Sequence, residues 1–180
     1  LINNNIIMFK KIFKKNNYNI TSLIEFGPNI GNNILALKKV LKKLKKITAV
    51  EINSKACKQI SKNLRNINVI NSSVIKFAPN IKFDLVLVKG VLIHVNPKDL
   101  NTFYKILFDS AKKYILLAEY YNPTPTKVKY RGYKNKLFKR DFAGDLLKKY
   151  KSLKLVDYGF VYKRDKHPQD DLNWFLLSKK

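Results

Sequence analysis

The stretch Leu23-Ile24-Glu25-Phe26-Gly27-Pro28-Asn29-Ile30-Gly31 decides how this chain folds. Its apolar start reads as a buried strand over 21–26, bounded by glycine and proline. Beyond it Ile34, Leu37, Leu41 and Leu44 recur at helical spacing, with lysines on the other face, which predicts a helix over 31–46. A glycine turn between strand and helix lets backbone approach a ligand, and the unpaired N–H groups of a helix start favour polar or anionic atoms. An ordinary strand-to-helix turn also favours glycine, so the turn alone does not fix the chemistry. Its pattern is G-x-x-x-G, with Asn29 standing where a dinucleotide fingerprint places a middle glycine. Glu51 ends the next strand, 47–51, twenty positions after Gly31, where a carboxylate can accept hydrogen bonds from both hydroxyls of a ribose. Glu25, Gly27, Pro28, Asn29, Ile30, Gly31, Glu51 and Ile52 are therefore the first cofactor candidates.

Strand-like and helix-like segments alternate onward from that unit. A helix is expected over 54–65, capped by Asn53 or Ser54, and a short strand over 69–71. Strands follow at 84–88 and 114–119, separated by a helix from Pro97 to about position 112. The segment 120–136 carries Asn122-Pro123-Thr124-Pro125 and reads as a loop; a helix is expected over 139–150 and strands over 153–162 and 173–178. Alternation of this kind implies an α/β fold whose mainly parallel sheet, here of seven strands, has helices on both faces. The last two strands are joined by a polar turn with no helix, so they should form a terminal antiparallel hairpin. Loops at the carboxyl ends of the strands add Ser72, Ser73 and Val74 after the third strand, and Lys89 and Gly90 after the fourth, to the cofactor candidates.

Composition bounds the alternatives. A length of 180 residues suits one domain, 1–180, and 46% hydrophobic residues is normal for a globular core. No apolar run reaches the roughly 18 residues of a membrane span, so no membrane partner is expected. The lone Cys57 fits a reducing cytoplasm. No metal site is expected, because Cys57, His94 and His167 lack ligand spacing. The formal net charge of +25 has two readings: an anionic partner, or a composition rich in Lys, Asn and Ile, all with AT-rich codons. The lysines spread along the chain instead of clustering, which favours the second.

Several longer motifs carry a resemblance. Phe83-Asp84-Leu85-Val86-Leu87-Val88-Lys89-Gly90-Val91-Leu92-Ile93-His94-Val95-Asn96-Pro97, Ala118-Glu119-Tyr120-Tyr121-Asn122-Pro123-Thr124-Pro125 and Tyr130-Arg131-Gly132 are similar to the methylases associated with pseudaminic acid biosynthesis. So are Leu137-Phe138-Lys139-Arg140-Asp141-Phe142-Ala143-Gly144, Val156-Asp157-Tyr158-Gly159-Phe160-Val161-Tyr162 and Pro168-Gln169-Asp170-Asp171-Leu172-Asn173-Trp174-Phe175-Leu176-Leu177. The likeness runs from about position 22 to the end of the sequence. It implies a Rossmann-like class I methyltransferase fold, S-adenosylmethionine as cofactor, and a nonulosonic acid or nucleotide-sugar relative as acceptor. That family carries a further N-terminal stretch rich in Trp, Phe and acidic residues; here residues 1–20 read as a short basic helical segment.

Methyl transfer from a sulfonium is an in-line displacement on an activated donor, so a protein contributes mainly proximity, alignment and a water-poor pocket. A hydroxyl acceptor gains from a general base, and His94, following the fourth strand, is the candidate, with Tyr120 as a second catalytic candidate. Glu119, Tyr121 and Asn122 end the fifth strand, where an acceptor would lie; Arg131 and Arg140 could hold its carboxylate or phosphate bidentately. Two rivals differ in class. A nucleic-acid methyltransferase would suit the charge, but the place after the fourth strand reads Lys89-Gly90-Val91-Leu92 instead of an Asp/Asn-Pro-Pro-aromatic motif. A cofactor-binding protein with a lost lid, with no transferase activity or consuming the cofactor otherwise, is the second.

Overall fold

The computed structural model describes residues 2–14, 18–130 and 133–180. The order is α1 (Ile2–Phe13), β1 (Ser22–Phe26), α2 (Asn32–Val40), β2 (Lys46–Glu51), α3 (Ser54–Asn63), β3 (Asn68–Asn71) and β4 (Phe83–Lys89). There follow α4 (Leu100–Ser110), β5 (Ala111–Glu119), β6 (Thr126–Tyr130), β7 (Tyr133–Lys139), α5 (Phe142–Lys149), β8 (Leu153–Val161) and β9 (Leu172–Lys179). Seven strands form one sheet in the order β3-β2-β1-β4-β5-β9-β8. The first five are parallel; β9 runs antiparallel to both β5 and β8, so the expected terminal hairpin is present. The chain leaves β1 toward β2 and β3, then returns to place β4 on the other side of β1. This reversal makes a crevice at the carboxyl ends of β1 and β4.

Alternation along the strands splits the core in two. Leu85 and Leu87 of β4 pack with Leu23, Leu116 and Trp174 under α1, α2 and α3, through Phe9, Leu37 and Ile60. Val86 and Val88 pack on the other face with Phe26, Ile115 and Leu117 under α4 and α5, through Phe103, Leu107 and Leu146. A β4 buried on both faces explains its unbroken apolar run. At the amino ends, the Asp84 carboxylate accepts from the Thr21 amide and hydroxyl, both at 2.8 Å, and pairs with Lys113 at 3.1 Å. Burial pushes this carboxyl up, but those hydrogen bonds and the ammonium outweigh it and hold it near about 2.

Four expectations are corrected. The helix expected over 31–46 stops at Val40. Continuing it would stack Lys38 on Lys42 and Lys39 on Lys43 at like-charge spacing, and the amides of Lys45 and Lys46 instead bond to the Thr21 carbonyl at 2.9 and 3.1 Å to begin β2. The helix opened by Pro97 is a single 3-10 turn, Pro97–Asp99, followed by α4, which ends at Ser110 because β5 starts earlier than expected. The helix expected from 139 starts at Phe142, after Asp141, whose side chain accepts from the Gly144 amide at 2.8 Å as its cap. The supposed loop 120–136 instead holds β6 and the first part of β7, which pair antiparallel as a separate sheet. Its signal was the alternation of Thr126, Val128 and Tyr130 with lysines.

Candidate active site at the carboxyl ends of β1 and β4

The glycine turn is built from left-handed backbone. Gly27, Asn29 and Gly31 have φ of 70°, 51° and 85°. At the first and last of these a side chain would also force a neighbour to shift. A Cβ on Gly27 would meet Val91 Cγ2 at 2.5 Å, and one on Gly31 would meet Leu64 Cδ1 at 2.6 Å. Gly27 donates to the Val50 carbonyl at 2.9 Å, and the Gly31 amide closes onto the Pro28 carbonyl at 2.9 Å. Asn29 is exposed at the tip of the turn and Ile30 is half-buried beside it.

Glu51 ties this turn to the next one. Its Oε2 accepts from the Asn29 amide and its Oε1 from the Asn53 amide, each at 2.9 Å. Asn53 then caps α3 through the amides of Lys55 and Ala56, which resolves the choice between Asn53 and Ser54. The carboxylate is thus fixed in place, yet each oxygen keeps a lone pair for a ligand hydroxyl.

Glu51 opens onto a cavity of about 420 Å³. Of the sequence candidates, Gly27, Glu51, Ile52, Ser73, Val74 and His94 line it. Ile52 is 71% exposed at its rim, an apolar side chain left in water where a flat ring could cover it. Val50, Ile75, Val91, Val95, Asn96, Asp99 and Phe103 also line the cavity and were not anticipated. For the residues after β4 the signal was present: a strand ending at the crevice implies that the following turn forms its wall. Phe103, from α4, had no such signal.

A second group lies beneath the turn. Glu25 is fully buried; its Oε1 accepts from Asn33 Nδ2 at 2.7 Å, and its Oε2 has no hydrogen-bond partner among the described residues. Asn33 accepts from Asn5 of α1 at 2.9 Å, and Asn5 accepts from Gln169 at 2.9 Å. This amide chain joins α1, α2 and the turn before β9, and nothing in the local sequence announced it. Lys89 lies in the field of Glu25, Asp170 and Glu119. Burial pushes the Glu25 carboxyl up to about 7, against the Asn33 hydrogen bond and the Lys89 ammonium. Burial likewise pushes Glu119 up to about 7, against the pull of the neighbouring backbone N–H groups of Leu92, Val91 and Ile93, the first two of which donate hydrogen bonds to it. The Lys89 ammonium is lowered by its own desolvation, which exceeds the opposing pull of Glu25, Asp170 and Glu119.

The remaining candidates are spread more widely. Ser72 donates its amide to the Glu51 carbonyl at 3.1 Å, and Gly90, at φ 67°, donates to Ala118 at 2.9 Å. Tyr120 is half-buried with the Lys139 ammonium 5.3 Å from its ring centroid. Tyr121 is 39% exposed and 6.0 Å from the ring of Phe175. Asn122 spends its side-chain amide within its own turn, on Thr124 and Thr126. Arg140 is not brought to the cavity: its Nε pairs with Asp145 at 3.1 Å, and Tyr104 donates to the same carboxylate oxygen at 2.9 Å, which fastens α5 to α4. Arg131 lies outside the described residues. Among those residues no group of three or more His, Cys, Asp or Glu side chains is placed to hold a metal ion, and no helix is long and apolar enough to cross a membrane.

The sequence matches no family model and no curated protein. Solved structures resemble it across nearly its whole length. A S-adenosylmethionine-dependent methyltransferase of Leishmania major is 16% identical with a TM-score of 0.74, over 99% of this chain and 72% of that one. The O-methyltransferase of a trans-AT polyketide synthase multienzyme of Brevibacillus brevis, solved with S-adenosyl-L-homocysteine, is 12% identical with a TM-score of 0.75, over 97% and 71%. The 1,6-didemethyltoxoflavin-N1-methyltransferase of Burkholderia thailandensis, solved with bound 1,6-didemethyltoxoflavin and S-adenosylhomocysteine, is 11% identical with a TM-score of 0.74, over 99% and 78%. Strand order, the crevice at β1 and β4 and these likenesses agree: the chain has the class I methyltransferase fold.

Proposed function

We propose that this chain transfers a methyl group from S-adenosylmethionine to a small polar acceptor, a nonulosonic acid or a nucleotide-sugar relative. One observation carries the cofactor assignment: the Glu51 carboxylate, held by two backbone amides, faces a cavity walled by the glycine turn. A second fits it: Glu25, buried beneath the glycine turn and outside the cavity lining, keeps one carboxyl oxygen with no hydrogen-bond partner among the described residues. Glu51 would hold the ribose hydroxyls, with Ser73 and Val74 at the base and Ile52 over it. Glu25 and Lys89 would hold the ammonium and carboxylate of the methionine end. The cofactor supplies an already activated methyl group; the chain's own task is to hold it dry and aligned. His94, exposed on the cavity lip, takes the acceptor's proton as general base. Tyr120 and Tyr121, at the end of β5, flank the acceptor side. Arg131 is the cation we assign to the acceptor's acid group. The nature of the acceptor rests on the motif resemblance to methylases of pseudaminic acid biosynthesis, and the single cysteine fits a cytoplasmic enzyme.

The test is transfer of a labelled methyl group to free and nucleotide-activated nonulosonic acids, with RNA as a parallel acceptor. Multiple turnover on a sugar acid, reduced roughly 100-fold in His94→Ala with cofactor binding kept, supports the reading. Transfer to RNA alone overturns the acceptor class.

A further inference from the structure

The carboxyl end of β5 carries a buried carboxyl group that serves the neighbouring turn. Glu119 is 3% exposed, and its Oε1 accepts from the Val91 amide at 2.8 Å and the Leu92 amide at 3.0 Å. Its Oε2 is buried and has no hydrogen-bond partner among the described residues. Those two amides open the single 3-10 turn Leu92–His94, which has no side-chain cap of its own. The first amides of any helical turn lack intrahelical partners, and in a dry site they need an acceptor from elsewhere. A carboxylate serving two amides at once is the strong form of such an acceptor.

What the turn carries gives the contact its consequence. Val91 and His94 both line the cofactor cavity. Val91 also lies so close to Gly27 that a Cβ there would sit 2.5 Å from its Cγ2. The position of this turn therefore sets both the cavity wall and the closest approach of the glycine turn.

We infer that Glu119 is a positioning residue: from β5 it clamps the turn after β4 so that Val91 and His94 form the wall of the cofactor cavity. This role is distinct from the substrate contact expected from its sequence position, and it rests on the proposal that the cavity takes S-adenosylmethionine. Its effect reaches the reaction through the position of the turn.

Two readouts on the full chain test it. The first is amide hydrogen exchange followed by NMR without any cofactor, comparing wild type, Glu119→Ala and Glu119→Gln. The clamp predicts exchange at Val91 and Leu92 at least about tenfold faster in the alanine variant, unchanged protection in β1 and β2, and recovery in the glutamine variant, whose carbonyl can accept both amides. The second is titration with S-adenosylhomocysteine, where affinity should fall at least about tenfold in Glu119→Ala and stay within about threefold in Glu119→Gln. Unchanged exchange at the two amides in the alanine variant overturns the clamp. So does acceleration spread evenly over the sheet, which marks a residue that only stabilises the fold. A glutamine variant as fast as alanine overturns it too. If wild type does not bind S-adenosylhomocysteine, the cofactor reading fails, while the exchange comparison still decides the clamp.

Discussion

Gly27 concentrates the strain and contact of the site in one residue. Its φ of 70° and its distance to Val91 leave no room for a side chain. Gly27→Ala should cost on the order of 1–3 kcal/mol of stability from the left-handed backbone alone, with a further loss of cofactor affinity as Val91 is pushed out. Thermal unfolding and ligand titration of the same variant separate the two effects. The turn was legible in the sequence because glycine spacing reports backbone conformation directly. Glu51 was legible for a related reason: its distance in sequence from Gly31 follows from one helix and one strand. Glu119 as a clamp was not legible. Its partners, Val91 and Leu92, stand 28 and 27 positions away and meet it only because β4 and β5 are neighbours.

At the scale of elements, caps and charges set the boundaries that apolar periodicity left open. The Leu37, Leu41, Leu44 pattern continues past the end of α2, so periodicity alone overran the helix; Leu41 is buried in the turn that follows it. α5 starts where Asp141 can cap it, and Asp141→Ala should destabilise the chain by about 1 kcal/mol, read as a lower denaturation midpoint at unchanged slope. The β6–β7 pair was hidden because its alternating positions are Thr, Val and Tyr among lysines, weaker than the unbroken apolar runs of the parallel strands. Arg140 shows the same effect of context. Read alone it suits a bidentate anion contact, but the fold sets Asp145 beside it at 3.1 Å and makes it part of the α4–α5 junction. Arg140→Met should accordingly loosen α5 and leave cofactor affinity within about threefold of wild type, checked by titration.

The molecule as a whole was readable from alternation of strands and helices, which leaves few topologies for a parallel sheet with a crevice at β1 and β4. Its electrostatics were not readable, because burial of Glu25 and Glu119 depends on packing across the sheet. Both carboxyls are raised from an ordinary 4.5 to about 7, so the folded state binds more protons than the unfolded state between those values. Stability contributed by their protonated forms is full below about pH 4.5 and is lost as pH rises through about 7. Each group makes the chain less stable at pH 8 than at pH 5, on the order of 3 kcal/mol. Denaturant unfolding at the two pH values should find Glu25→Gln more stable than wild type at pH 8, with a flatter dependence on pH. A cationic ligand at Glu25 would draw that carboxyl back down, so cofactor binding at pH 7 should release protons, seen as a binding heat that varies with the buffer's ionisation enthalpy.

If the cavity beside Glu51 takes S-adenosylmethionine, calorimetric titration of that molecule into the purified chain, beside the Glu51→Ala variant, decides it. Micromolar binding by wild type and at least about a tenfold loss in the variant are expected, with both proteins folded. No binding by a folded wild-type chain, or equal binding by the two proteins, would contradict it.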